Sequence, residues 1–130
     1  MSSVTSRKTA RRQALYLLYQ WDLTGQELAS LYEGEPDAFA RSLADAVAAR
    51  AERLDVRISA SSPDWPADRL GTLERNILRI GVYELEEETV PREVAINEAV
   101  VLAKRYATEE AARLVNGILA RVAREEEEVA

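Results

Sequence analysis

Between Leu70 and Tyr106 the chain carries apolar residues at helical spacing on two sides at once. Leu70, Leu73, Ile77 and Ile80 recur at three- and four-residue steps, while Leu78, Val82 and Leu85 fill a second stripe beside them. A helix with two apolar faces has to be surrounded by other helices. After Pro91 the helical pattern resumes through Ile96, Ala99, Val100, Leu102, Ala103 and Tyr106, with Lys104 and Arg105 near the end, where cations complement the helix dipole. Together the two stretches predict a buried central helical hairpin. Its turn, Glu86 to Pro91, is acidic and reads as a solubilising loop.

The flanking pattern supplies what surrounds that hairpin. Ser6 can cap a helix that turns Ala10, Ala14, Leu17, Leu18 and Trp21 inward, with Gly25 as its stop. Glu27 to Tyr32 predicts a helical turn before Gly34-Glu35-Pro36. Asp37 then caps one long amphipathic helix with Phe39, Leu43, Ala46, Val47, Arg50 and Leu54 on a stripe. Ser59 to Pro66 is loop by composition, and Trp65 within it reads as a plug for the core. Thr108 caps a last helix, with Glu109 and Glu110 favourable in its first turn and Ala112, Val115, Leu119 and Val122 on its inner stripe. Gly117 in mid-helix costs up to about 1 kcal/mol against Ala, which suggests that another helix approaches closely there. The terminal acids are expected to fray. The prediction is an all-α protein, a compact bundle of about six or seven helices, forming a single domain over residues 1–130.

Composition narrows the chemistry. The chain has no Cys and no His, so disulfides, thiolate metal sites and the commonest general base are absent. No metal-ligand spacing, phosphate-binding glycine loop or catalytic constellation stands in their place, so neither enzyme activity, nor a cofactor, nor a metal is expected. No apolar run reaches the roughly 18 to 20 residues needed to span a bilayer, which points to a cytoplasmic protein without a membrane role. The first twelve residues are Ser/Thr/Arg-rich and acid-free, as transit segments are, but they run directly into an apolar helix of the fold.

Net charge is −6, yet its distribution matters more: Arg7, Lys8, Arg11 and Arg12 precede the first acid, Asp22, and Glu125 to Glu128 lie near the end. Arg7 and Arg11 lie four apart, as do Lys8 and Arg12, placing two cationic rows side by side on the first turns, and Leu15, Tyr16 and Tyr19 follow. Cations at a helix N-terminus oppose the dipole by a few tenths of a kcal/mol or more each. A helix that tolerates them is keeping charge for an anionic ligand, or carries only a solvated basic turn. Residues alone therefore describe a helical adaptor with one basic, aromatic patch.

Four ordered blocks add a resemblance: ARRQALYLLYQWDL, Arg69 with LERNILRIGVYEL, VPREVAINEAVVLAKRYA, and LVNGILARV. In this order and at these separations the chain resembles the NusB family of bacterial transcription antitermination factors. The resemblance implies an all-α fold of two packed helical sub-bundles. It also implies binding to the single-stranded boxA element of ribosomal RNA leader transcripts, with the ribosomal protein NusE as partner in an antitermination complex on RNA polymerase. On that resemblance the RNA contacts are Arg7, Lys8, Arg11 and Tyr19, with Arg12 beside them, and Glu110 and Leu114 at the start of the last helix. Leu114 departs from the Phe often found before VNG, and Leu offers no π-face. Asp68 and Glu74, at the entrance of the central helix, are the acids expected to hold the basic NusE. The same fold serves as the N-terminal domain of a ribosomal RNA cytosine methyltransferase, but this sequence shows no nucleotide-binding βαβ pattern and no catalytic Cys. The alternative function is a protein–protein adaptor without an RNA role.

Overall fold

The computed structural model of the protein describes residues 6–32, 34 and 37–129, and among them every regular element is helical. Helix α1 spans Arg7–Thr24, α2 Leu28–Leu31, α3 Ala38–Ala49, α4 Ala51–Ala60, α5 Thr72–Glu87, α6 Arg92–Tyr106 and α7 Glu109–Val129, with a 3-10 turn at Ala67–Arg69 before α5. The expected caps form. The Thr9 N–H donates to Ser6 Oγ at 3.1 Å, the Ala40 N–H to Asp37 Oδ2 at 3.0 Å and the Ala111 N–H to Thr108 Oγ1 at 3.0 Å. Gly25 ends α1 at φ 75°, a left-handed conformation in which a Cβ is disfavoured. Of the turn expected at Gly34-Glu35-Pro36, Glu35 and Pro36 lie outside the described residues.

Helix α5 is the axis: Ile77, Leu78, Ile80, Val82 and Leu85 are all buried, and α1, α3, α4, α6 and α7 pack around it. Helices α1 to α3 form one sub-bundle and α4 to α7 the other. One apolar cluster runs through both, from Leu18 and Val47 to Ile77 and Leu119. The predicted long helix from Asp37 is in fact two. It breaks at Arg50 (φ −108°, ψ 10°), because α3 packs on α1 while α4 packs on α5. No Gly or Pro marks this bend, so only tertiary packing sets it.

Two further expectations are corrected. Gly117 does not mark a close approach: a Cβ there would meet nothing within 4 Å, whereas one at Gly81 would sit 2.6 Å from Leu119 Cδ1. The α5–α7 contact therefore runs through Gly81. The acidic stretch Glu125 to Glu128 is helical rather than frayed, because Arg57 binds Glu125 at 3.0 Å and Arg92 binds Glu127 at 3.0 Å. In the hairpin turn Glu86 pairs with Arg53 at 2.7 Å, while Glu87 and Glu88 are exposed as a solubilising turn requires.

Buried charge is paired throughout. Asp22 Oδ2 accepts from Arg75, Arg79 and Asn76, each at 3.0 Å, and Arg79 also grips Asp55 through two bonds of 2.7 Å. Burial opposes the Arg79 charge, but the Asp55 hydrogen bonds and charge, with Asp22 behind them, outweigh it and raise its pKa. Among the described residues no buried side-chain polar atom lacks a partner.

Candidate nucleic-acid interface

The first turns of α1 point their cations in different directions. Arg7 is exposed, its guanidinium 4.4 Å from the centre of the Phe39 ring. The Lys8 side chain is 72% exposed and 3.7 Å from Glu98. Arg12 is half-buried and donates to Thr9 Oγ1 at 3.3 Å. These three cations stay within reach of solvent.

Arg11 does not join them. It is 3% exposed, its Nε donates to both Glu84 oxygens at 2.9 and 3.1 Å, and its Nη2 donates to Oε2 at 2.8 Å. Glu98 lies 4.0 Å from its Nη1. The expectation that Arg11 contacts RNA is therefore corrected: its donors are spent on α5, and the residue ties α1 to the central helix. The signal was present in the sequence, because Arg11 shares a helical stripe with Ala14, Leu15 and Leu18, and Glu84 stands among the apolar positions of α5. A carboxylate in a buried helix calls for a cation.

Beyond Arg12, the outward side of α1 meets the start of α5 and the end of α6. Arg12, Leu15, Tyr16, Tyr19, Leu73 and Tyr106 line a cleft of roughly 310 Å³. On the other side of Arg12 and Tyr16 lies a second depression, lined also by Gln13, Gln20, Tyr32 and Asp37. There the Tyr32 hydroxyl, desolvated and donating to Asp45 at 2.7 Å, has its pKa pushed up to about 12.

A further cleft of roughly 350 Å³ opens at the α7 N-terminus, lined by Trp65, Arg69, Leu70, Gly71, Glu74, Thr108, Glu110, Ala111 and Leu114. Leu73 lines the first of these clefts and Glu74 the second; Tyr106 lines the first and Thr108 the second. The two hollows thus meet across the N-terminus of α5 and the α6–α7 turn. Arg12 and Tyr19, far in sequence from Glu110 and Leu114, come to lie along one surface track.

The acids expected at one partner surface separate. Asp68 is exposed and opens onto a cleft with Asp22, Ser59, Arg75 and Arg79, while Glu74 lies with Glu110 and Leu114. Trp65 also departs from expectation: it is 52% exposed instead of plugging the core. Trp65, Arg69 and Tyr106, which line these clefts, are not among the expected site residues. The available signals were the Asp64 and Pro66 neighbours that hold Trp65 in a surface turn, and the Lys104-Arg105 pair that brings Tyr106 out at a helix end.

Chemically the two clefts carry one cation each, Arg12 and Arg69, suited to phosphates, flat aromatic faces suited to bases, and carboxylates that can accept from base amino groups. Among the described residues no cluster of acids could hold a metal ion. No helix among them is long and apolar enough to cross a membrane.

Comparison with known proteins gives a consistent result. The NusB family profile matches residues 8–124. The transcription antitermination protein NusB of Rubrobacter xylanophilus is 43% identical over 121 residues, covering 88% of this chain and 87% of that protein. The NusB of Myxococcus xanthus is 39% identical over 132 residues, covering 91% and 94%. Among solved structures, antitermination factors NusB and NusE in complex with double-stranded RNA give a TM-score of 0.80 at 34% identity, covering 92% of this chain and 96% of that one. NusB of T. maritima gives 0.84 at 31% identity, covering 98% and 99%.

Proposed function

This chain belongs to the NusB family, and from that membership we infer that it is a transcription antitermination factor. It binds the boxA element of ribosomal RNA leader transcripts together with NusE, as part of an antitermination complex on RNA polymerase. It acts without catalysis, in the cytoplasm, as one helical RNA-binding domain. The observation that carries the RNA reading is the pair of neighbouring clefts on either side of the α5 N-terminus, one lined by Arg12, Tyr16 and Tyr19 and the other by Arg69, Glu110 and Leu114.

In this reading Arg7, Lys8 and Arg12 neutralise phosphates and Tyr19 faces a base beside them, while Leu114 and Glu110 meet the strand further on. Asp68, outside the track, is the acid offered to NusE; its charge would steer a basic partner and repel RNA. Glu74 stands at the border, since its own cleft belongs to the track.

Titration of a short boxA-like single-stranded RNA over a range of salt concentrations, with and without NusE, tests the function. Three neutralised phosphates give a slope of log K against log salt of roughly −2, at about −0.7 per phosphate. Replacing Arg7, Lys8 and Arg12 together by Ala should flatten that slope to near zero with little change in melting temperature. A slope unchanged by the triple replacement would leave the patch as solvated surface, and NusE binding without any RNA affinity, at low salt and with NusE present, would make the protein an adaptor.

A further inference from the structure

We propose that Trp65 is a stacking platform for an unpaired base in the α7 cleft that it lines together with Leu114; this rests on the RNA reading above and adds a contact to it. The exposed aromatic side chains among the described residues are Tyr16, Tyr106 and Trp65, and all three line the two clefts of the track. The most exposed aromatic faces of the described residues therefore lie where a nucleic acid would run, while Trp21, Tyr32, Phe39 and Tyr83 are half-buried elsewhere. Single strands are held by such faces, because every base offers a π-face.

The loop that carries Trp65 is pinned. Its backbone N–H donates to the Ser62 carbonyl at 3.0 Å, and two residues on the Ala67 N–H donates to Ser59 Oγ at 2.9 Å. The indole is therefore presented by a braced turn, which reduces the ordering cost of binding. Leu114 in the same cleft offers apolar contact but no flat face, so stacking there falls to Trp65.

Charge decides what enters. Glu74 and Glu110 rim the cleft and repel phosphate, whereas Arg69 on the same rim attracts it. The backbone is held outside near Arg69 and a base turns inward, where the carboxylates can accept from its amino group.

The test uses the full chain. Trp21 and Trp65 are its two tryptophans, so a Trp21→Phe background leaves Trp65 as the sole fluorophore. Titrating a short boxA-like single-stranded RNA should quench its emission saturably, with the midpoint of an independent binding signal from labelled RNA. Trp65→Ala and Trp65→Leu should each weaken binding by about 5- to 150-fold, while Trp65→Phe keeps most of the affinity. The Leu variant keeps apolar bulk, so its loss separates stacking from simple hydrophobic contact and from misfolding, which circular dichroism checks. Equal RNA affinity of the Ala variant, with no quenching in the parent, overturns the proposal while leaving the RNA function standing. A loss of NusE affinity with RNA affinity intact also overturns it, and assigns Trp65 to protein docking. An absence of RNA binding in the parent protein at low salt would bring down the function and the proposal together.

Discussion

Arg11 and Arg12 are adjacent in the chain and belong to opposite regions of the molecule. On the closed side, Arg11, Arg57, Arg75 and Arg79 each meet a carboxylate at 3.0 Å or less, and the helices they join enclose the core. On the open side, neither Arg7 nor Arg12 forms an ion pair among the described residues, and the exposed aromatics lie there too. A cation locked in a buried bidentate pair fixes how helices meet, whereas one left without a carboxylate, or paired as loosely and openly as Lys8 with Glu98, has its charge to offer a phosphate. Basic residues in a sequence therefore announce a patch only after those facing the core are subtracted.

The sharpest way to break this contrast is to cut each arginine. Glu84→Ala or Arg11→Ala strands a buried charge and should cost about 3 to 5 kcal/mol of stability. Arg12→Ala should stay within about 0.5 kcal/mol. Denaturant unfolding of the three variants reads both numbers. Equal, small losses would mean that Arg11 is not locked to α5.

The glycines give a second, smaller contrast. A methyl at Gly81 would press on the fully buried Leu119, so Gly81→Ala should destabilise by about 1 to 3 kcal/mol. Gly117 faces open space, and Gly117→Ala should stabilise by up to about 1 kcal/mol. The same unfolding curves decide, and a reversal of the two signs would place the close approach of α5 and α7 elsewhere.

The smallest effect is a pH dependence on the closed side. A hydrogen bond from Ser61 holds the Glu125 pKa below its usual value; burial opposes it, and the hydrogen bond and charge of Arg57, with Arg121 behind, add to the lowering. A depressed folded pKa adds stability that is present above the ordinary carboxylate range and is lost as pH falls through the folded value. Because the Glu125 side chain is 35% exposed, the effect is modest. Ser61→Ala should lower the urea midpoint at neutral pH and leave the acid-side midpoint nearly unchanged, narrowing the gap between them.

Much of this was legible in the chain. The central hairpin, the three side-chain caps and the Gly25 stop follow from periodicity and local hydrogen bonding, which sequence records directly. The break at Arg50 was hidden because it answers two separate packing partners and carries no breaker residue. For the site, the cationic turns and Tyr19 could be named. What could not be read was which cation turns inward, and that Trp65 and Leu114, about fifty positions apart, face one cleft. Both depend on where the loop before α5 meets α7, a distance that no local pattern encodes.

The central claim is that one RNA strand occupies both ends of the track at once. Backbone amide resonances of the 14.5 kDa chain, followed through a titration with boxA-like single-stranded RNA, test it most directly. The account predicts that Arg12, Tyr16 and Tyr19 shift together with Trp65, Glu110 and Leu114, at a shared midpoint, while Asp55, Arg79 and Glu125 on the closed side stay fixed. Shifts confined to one end, shifts at two different midpoints, or movement centred on the paired arginines would contradict it.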